Sequence, residues 1–597
     1  MKSNTNSALR YCASSLTGLA SLLLAATSAQ AQTQPNVDAG SLLQQQQNQP
    51  NPLATPPRSD LKTLLKEELP AQYPRALEVD KTTIVVKTFT LAGPITAFTP
   101  AHLQTALAGF VNRPLSLAEL QEAANAITQL YRQSGYFLAR AYLPKQDVTA
   151  GSVTIAISEG LLEGNNGVRL EGTELRVKAA LALGIVNAAV AAGKPLNQES
   201  LERSLLLLGD IPGLAASANL EPGSTPGSTR VAVEIKEGLA FNGNAVLDNY
   251  GSRYTGSDRL TASLNLNDPL GRGEQFTVQG TQALQSEGSN YTYARLGYSQ
   301  PVGRTGARAG LAYSSMLYAV GQELASLHSK GTAQNWTANL RYPLIRSRER
   351  SLFANAAYDR KTLFNEANGA RTSDKQVDVI GAGLNLEQSD TWGGGAYNYA
   401  GITLSTGSLD LGRDAASLAG DQGPGGARTQ GSFQKINWNA TRLQRVTEKL
   451  SFAAMFNGQS ASKNLDSGER FQLGGPSGVR AYPAGEATGD EGLRATLEAR
   501  YFAGSFDAAG DVNVQAFYDW GSVRQFKDPS AQTLTTPNDF NLSGIGFGIT
   551  VSRPGRFEAK AQWAQKIGSN PAASATGKDA DGTQNSTRLW LSLTAFF

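Results

Sequence analysis

The sequence predicts a transmembrane antiparallel β-barrel that follows two small α/β domains and an N-terminal helix. Three observations support this fold class. Apolar and polar side chains alternate from residue 239 to the C-terminus, a β-α-α-β-β pattern occurs twice before that point, and the chain opens with an export signal. Because the 597 residues exceed an ordinary single domain, we expect several structural units.

The composition excludes several classes of protein. Charged residues make up 17% of the chain and apolar residues 40%, which fits neither a disordered chain nor a helical membrane protein. The net charge of +3 is spread out, so we expect no nucleic-acid partner. The only cysteine is Cys12 and the only histidines are His102 and His328, too few for a zinc site, a disulfide framework or thiol catalysis.

Residues 1–31 have the features of a signal peptide. Lys2 and Arg10 precede an apolar run over 16–26, and the small-x-small pattern at 29–31 predicts cleavage after Ala31. The alternative is a membrane anchor, but the apolar run is shorter than the ~20 residues that a spanning helix needs. We therefore expect an exported protein.

The segment 32–80 is predicted to contain a short helix and a linker. Asp38 can cap a Gln-rich helix over about 38–49 that contains Leu42 and Leu43. Several prolines between 50 and 74 then prevent regular helix. The simplest interpretation is a detached helix on a tether.

Residues 81–160 are predicted to form the first α/β domain. A strand over Thr82–Val86 extends through Leu91, and two helices follow, N-capped by Thr99 and Ser116. A hairpin over 136–157 completes the β-α-α-β-β order.

Residues 161–238 repeat this pattern. Arg113-Pro114-Leu115-Ser116 corresponds to Lys194-Pro195-Leu196-Asn197, and each segment ends in a helix N-cap. The stretch Ala179–Ala192 is too short to span a membrane and is predicted to be a buried helix. A second domain with the same order is expected.

From residue 239 to 597 the alternation predicts strands with one apolar face. The last strand, with Leu591, Leu593 and the terminal Phe597, has the pattern of a C-terminal barrel signal. A soluble β-sandwich would alternate as well, but the aromatic residues near strand ends favour a membrane barrel. The length accommodates sixteen strands, and it is also compatible with fourteen or eighteen.

No catalytic template is recognisable in the chain. It has no H-E-x-x-H, G-x-S-x-G, Walker or C-x-x-C motif, and the acidic residues are too dispersed to define a carboxylate pair. We therefore expect no enzyme activity, no cofactor, no metal and no nucleotide.

One long loop stands out within the barrel region. Residues 471–492 are rich in glycine and carry Arg480 at their centre, and such a loop is seldom ordered without a function. Further on, Asp519 alternates with the outward Tyr518 and should point into the barrel. An inward carboxylate is a natural partner for an arginine on an inward loop.

With this loop and this strand, the chain resembles the two-partner secretion transporters (TpsB). These are outer-membrane proteins that export large haemolysin- and haemagglutinin-like exoproteins. The resemblance covers nearly the whole length. The family's VRGY-type loop motif matches Val479, Arg480, Ala481 and Tyr482, and its F-x-D-x-G strand motif matches Phe517, Asp519 and Gly521.

The resemblance implies a sixteen-stranded barrel, two periplasmic POTRA domains and an N-terminal plug helix in the pore. It also implies an Arg480–Asp519 contact, an exoprotein partner, outer-membrane lipid around the barrel, and the barrel assembly machinery as a partner during biogenesis. The sequence departs from the family's loop motif at Ala481, where the motif usually has glycine. If that position requires a positive φ, alanine would be strained there.

Alternative interpretations are open at this stage. Arg480 could be a solvated loop residue and Asp519 a turn former. At the level of function, the alternatives are a POTRA-barrel factor that inserts outer-membrane proteins or lipids, a diffusion porin or receptor, and a soluble exported adhesin. The tandem α/β repeats argue against a passive porin.

Overall fold

A computed structural model describes residues 37–49, 82–164, 166–172, 175–284, 288–507, 510–534 and 536–597. The expected signal peptide over 1–31 and the proline-rich linker lie outside the described residues. Among the described residues, no helix has both the length and the apolar character needed to cross a bilayer.

The N-terminal helix α1 covers Ala39–Gln47. Asp38 is its N-cap, as expected from the sequence, and its side chain accepts from the backbone N–H of Ser41 at 2.9 Å. The Ser41 side chain bonds back to the Asp38 backbone, so the helix begins with a complete capping box.

The first α/β domain has the predicted helices and hairpin. Its elements are β1 (Thr83–Val85), β2 (Thr88–Ala92), α2 (Pro100–Leu107), β3 (Pro114–Ser116), α3 (Leu117–Gln133), β4 (Arg140–Tyr142) and β5 (Ser152–Ser158). β5 lies between β2 and β4 in the sheet, parallel to β2 and antiparallel to β4.

The prediction of a single first strand over Thr82–Val86 and on through Leu91 is wrong. The chain forms two short strands there because they have different partners: β1 pairs with β3, whereas β2 pairs with β5. Between them, the N–H of Lys87 bonds to the carbonyl of Gly151 at 2.7 Å.

In the first domain, the buried side chain of Glu159 binds the loop before α2 and the hydroxyl of Tyr131 in α3. Its carboxylate accepts from the backbone N–H groups of Thr96 and Ala97 and from the hydroxyl of Tyr131. Burial alone would raise the pKa of Glu159, but these hydrogen bonds and one from the Thr96 hydroxyl outweigh it and lower the pKa. The ionised carboxylate therefore holds the loop before α2.

The second domain repeats the arrangement. Its elements are β6 (Leu161–Leu162), β7 (Val168–Glu171), α4 (Ala179–Ala189), α5 (Gln198–Gly209), β8 (Leu214–Pro222) and β9 (Ser228–Glu237). β9 runs parallel to β7 and antiparallel to β8, as β5 does with β2 and β4. The predicted internal repeat is therefore present in the fold.

The rest of the chain forms a closed antiparallel barrel of sixteen strands. Its first eleven strands are β10 (Phe241–Asp248), β11 (Arg259–Asn267), β12 (Gln275–Ala283), β13 (Asn290–Val302), β14 (Ala307–Ala319), β15 (Lys330–Arg346), β16 (Arg350–Ala367), β17 (Ala370–Asp390), β18 (Ala396–Asp410), β19 (Gly431–Arg445) and β20 (Leu450–Ala461). A short hairpin of β21 (Phe471–Gln472) and β22 (Thr488–Gly489) follows and forms a separate two-stranded sheet that is not part of the barrel wall. The last five barrel strands are β23 (Glu491–Phe506), β24 (Gly510–Arg524), β25 (Asp539–Arg553), β26 (Phe557–Ile567) and β27 (Thr587–Phe596).

Pairing of β10 with β27 closes the barrel. Large apolar side chains face outward along the strands, for example Leu260, Leu404 and Phe547, whereas the inward positions are mainly polar or small. This is the arrangement that a membrane barrel requires, because lipid contacts one face of each strand and the lumen contacts the other.

The second α/β domain contacts one end of the barrel. Asp210 accepts from Arg346 at 2.7 and 2.9 Å, and Arg203 donates to the carbonyl of Pro343 at 2.8 Å. The backbone N–H of Lys178 donates to the carbonyl of Gly271 at 3.0 Å. We call this the domain-proximal end of the barrel.

Candidate functional site

The long loop between β20 and β23 folds into the barrel. Val479, Ala481 and Tyr482 have no exposed surface, and they pack in one apolar cluster with Leu473 and Phe517. The loop is also internally bonded, since the N–H of Val479 donates to the carbonyl of Leu473 at 2.7 Å. The loop is therefore a packed part of the barrel interior.

Arg480 lies at the centre of this loop and contacts Asp519 on β24. Its Nε and Nη2 donate to the two carboxylate oxygens of Asp519, both at 2.8 Å, and its backbone N–H donates to the same group at 3.1 Å. Asp519 has no exposed surface and Arg480 retains 5%. The structure thus places the two residues in a buried bidentate pair.

Two further side chains complete the surroundings of the guanidinium. Glu498 on β23 accepts from Nη1 of Arg480 at 2.8 Å, and the ring of Phe517 lies with its centroid 3.3 Å from the guanidinium carbon. Thr496 donates to Asp519 at 2.9 Å. The arginine is therefore fixed by two carboxylates and an aromatic face.

A residue of the last strand also holds the loop. Nε1 of Trp590 donates to the carbonyl of Arg480 at 2.8 Å, and its ring lies against Tyr250. Sequence reasoning missed Glu498, Thr496 and Trp590. Trp590 stands between the outward Leu589 and Leu591, so the same alternation that located Asp519 could have identified it as inward.

The remaining motif positions explain how the loop approaches the wall. A Cβ at Gly521 would lie 2.6 Å from the end of the Leu473 side chain, so a larger residue there would displace Leu473. Ala481 does not have a positive φ, and the strain considered for this position is absent. The positive φ occurs instead at Gly475, Gly485 and Ala487.

The helix α1 lies inside the barrel. Leu42 and Leu43 pack with Tyr291, Met316 and Leu363 from the barrel wall in one buried cluster. We call the apolar wall residues of this cluster the plug seat.

Polar contacts attach α1 to the wall and to the inward loop. The Asp38 carboxylate accepts from Ser467 at 2.9 Å, and the N–H of Ala39 donates to Asn365 at 2.9 Å. Gln44 donates to the carbonyl of Arg470, just before β21. The helix therefore contacts both the barrel wall and the segment that leads into the inward loop.

The C-terminal residues lie on the outer surface beside the first strand. Leu591 and Leu593 point outward and are about half exposed, and Phe597 pairs with Gly243 through two backbone hydrogen bonds. No group of three or more His, Cys, Asp or Glu that could hold a metal ion occurs among the described residues.

This fold and site define a class of protein, the POTRA-containing outer-membrane β-barrels. The family model for the haemolysin secretion/activation protein ShlB/FhaC/HecB matches residues 227–551, and the model for the ShlB-type POTRA domain matches 84–160. The chain therefore belongs to the ShlB/FhaC/HecB family of haemolysin secretion/activation proteins.

Curated relatives match along most of the chain. The heme/hemopexin transporter protein HuxB of Haemophilus influenzae (strain 86-028NP) is 26% identical, with coverage of 89% of this chain and 92% of that protein. The outer membrane transporter CdiB of Dickeya dadantii is 24% identical (75% and 77%), as is the hemolysin transporter protein ShlB of Serratia marcescens (69% and 71%).

The fold also matches a solved structure of CdiB from Escherichia coli. The TM-score is 0.70 at 20% identity, with 94% of this chain and 96% of that chain covered. The protein is accordingly a two-partner secretion transporter of the outer membrane, with its POTRA domains in the periplasm.

Proposed function

We propose that this protein exports a haemolysin- or haemagglutinin-like exoprotein and that the inward loop with Arg480 sets the conformation of the pore. The observation that carries the proposal is the buried bidentate pair between Arg480 and Asp519, which fixes a long loop inside a barrel that also holds a helix. A passive porin needs neither a pinned loop nor tandem periplasmic domains.

The POTRA domains supply a means of capture. In the first domain, β2 and β4 are the outer strands of the sheet, and Arg140 and Tyr142 on β4 are exposed. An unfolded chain can add a strand beside such an edge, because backbone hydrogen bonds give affinity without a folded epitope. The captured segment would then be held next to the domain-proximal end of the barrel.

Export then requires that α1 leave its seat. The helix blocks the lumen through the plug seat and the loop-side contacts, so it must move before an extended chain can pass. The protein has no recognisable nucleotide-binding motif, and folding of the exoprotein outside the cell would supply the driving force. Outer-membrane lipid would surround the apolar outer face, and the barrel assembly machinery would insert the barrel.

A secretion assay tests this function. Cells lacking the gene are complemented with wild type, with R480A, or with R360A as a matched control, because Arg360 is an arginine on the outer face whose ion pair with Asp378 is half exposed. Breaking the buried pair costs about 3–5 kcal/mol, less where lumen water enters, whereas the exposed pair contributes about 0–1 kcal/mol.

We expect R480A to lower release of the exoprotein by at least about tenfold while heat-modifiability shows that the barrel still folds. R360A should secrete normally. Undiminished release from cells without the gene would refute the secretion function. It would favour the alternative that the protein assembles other outer-membrane proteins.

A further inference from the structure

The barrel wall below the plug seat carries an unusual set of inward side chains. Towards the domain-proximal end, strands β15, β16, β17, β19 and β20 present asparagines to the lumen at similar heights, and β18 presents Gly401 between them. We call this surface the amide wall, and its members are Asn339, Asn355, Asn385, Asn437, Asn439 and Asn457.

Strand register places several of these amides side by side. Asn385 faces Gly401, Gly401 faces Asn439, and Asn439 faces Asn457 on four consecutive strands. A Cβ at Gly401 would lie 2.7 Å from the Asn385 Oδ1 and 2.9 Å from the Asn439 Nδ2. The glycine therefore leaves room for two amides to lean over it.

Two larger inward side chains lie beside the amides, since Arg341 faces Asn355 and Phe353 faces Asn385. Arg341 is itself occupied, because it stacks on Phe353 and lies 4.0 Å from Glu387.

The opposite wall has a different character. Strands β23–β26 present charged groups to the lumen, and many of these are bonded to one another or to the inward loop. They include Arg494, Glu498, Arg500, Asp519, Glu558 and Lys560.

The amide wall is partly open to the lumen. Asn339 is exposed, and Asn355, Asn385 and Asn457 are partly exposed. Amides both donate and accept, so they can exchange hydrogen bonds with the backbone of a passing chain. Because they carry no charge, they would not retain acidic or basic segments as a charged wall would.

The amide wall also lies on the same strands as much of the plug seat. Along β16 the inward positions run from Asn355 to Leu363, and along β17 from Asn385 to Val379 and Val377. The wall therefore leads from the domain-proximal opening to the place that α1 occupies.

We propose that the amide wall is the surface along which an extended, unfolded polypeptide passes from the POTRA domains to the plug seat. This inference rests on the proposed function and adds to it a route and a partner chemistry: the route is one wall of the lumen, and the feature recognised is the uncharged peptide backbone.

Site-specific photocrosslinking tests the route. The photoreactive residue p-benzoylphenylalanine replaces Asn339 or Asn439 on the amide wall, or Asn513 or Lys560 on the opposite wall. The cargo is the exoprotein released in the secretion assay, fused to a tightly folding domain that stalls it in the pore. Crosslinks should form at the two amide-wall positions and be at least about fivefold weaker at the other two.

Charge substitution gives a second, independent measurement. N385D and N439D keep the side-chain size and add negative charge to the amide wall, and N513D adds the same charge to the opposite wall. Export should slow by about fivefold or more in the double variant N385D/N439D and stay within about twofold in N513D. Heat-modifiability of each variant shows that the barrel is folded.

The outcomes separate the two proposals. Normal export with crosslinks confined to Asn513 and Lys560, or with equal crosslinks on both walls, overturns the amide-wall route and leaves the secretion function intact. Equal slowing by N513D and by the double variant also overturns the route. If wild type exports nothing, the proposed function fails and the route fails with it.

Discussion

At the scale of single residues, the inward loop depends on close packing around an alanine. Ala481 is fully buried, and a Cβ built at Gly544 on β25 would lie 2.6 Å from the Ala481 Cβ. One methyl group fits in this space and two do not. The alanine at a motif position that usually has glycine is therefore accommodated by a glycine on the facing strand.

This packing predicts a compensating pair of substitutions. G544A alone should cost about 1–3 kcal/mol and loosen the loop, because the added methyl overlaps with Ala481. A481G alone should be nearly neutral for secretion. A481G/G544A should recover the part of the loss that the overlap with Ala481 causes, while the 3.0 Å approach of the added methyl to the Gln565 carbonyl remains. Secretion and thermal unfolding in detergent measure both effects.

A matched control separates the contact from a general effect of removing a strand glycine. Gly280 lies in β12 with no atom within 4 Å of its built Cβ, so G280A should leave secretion unchanged. If A481G gives no recovery in the G544A background, the loop does not depend on this contact.

The sequence predicted part of this site because some of its signals are local. Alternation along β24 placed Asp519 inward, and the loop motif identified Arg480. The contacts of Arg480 with Glu498 and Trp590 join residues far apart in the chain, and no local pattern specifies which inward side chains meet. The fit of Ala481 against Gly544 is non-local for the same reason.

At the scale of elements, α1 is held by a close backbone approach near its N-terminus. A Cβ at Gly40 would lie 2.7 Å from the Ser467 Oγ and 2.8 Å from the Gly468 backbone nitrogen. The segment around Ser467 is fixed to the wall, since Lys375 pairs with Asp466 and Lys361 pairs with Glu469. The helix therefore packs against a segment that ion pairs fix to the barrel wall.

A larger residue at Gly40 should keep α1 out of the lumen. G40L is expected to raise single-channel conductance and sensitivity to large antibiotics, because the helix cannot seat against Ser467 and Gly468. Q47L, which places the same side chain at an exposed position of α1, should behave as wild type. Equal conductance of G40L and wild type would show that α1 does not close the pore.

Most elements were predictable because their signals are short-range. The capping groups Asp38 and Ser116 and the glycine at 135 marked helix ends, and period-2 alternation marked the barrel strands. The failure near Thr82 has a different origin: whether an extended segment forms one strand or two is decided by its partners, and these lie more than 25 residues further along the chain.

At the scale of the whole molecule, the two POTRA domains and the barrel are joined by specific contacts. The N–H of Gln198 donates to the carbonyl of Gly135 at 2.9 Å, and Leu138 of the first domain packs on the core of the second. The second domain in turn pairs Asp210 with Arg346 and Glu202 with Arg348 at the barrel. A chain bound to the first domain is thereby held in a defined position relative to the pore.

Reversing the charges at this junction tests whether that position matters for export. R346D places two carboxylates together and should lower secretion several-fold, since like charges at this partly buried site repel and the bidentate contact is lost. D210R/R346D restores opposite charges and should recover much of the secretion. Arg169, which is exposed and pairs with Glu171 and Glu221, gives a control, and R169D should have little effect. If D210R/R346D secretes no better than R346D while all barrels are folded, the loss comes from Arg346 itself, and the orientation of the second domain does not limit export.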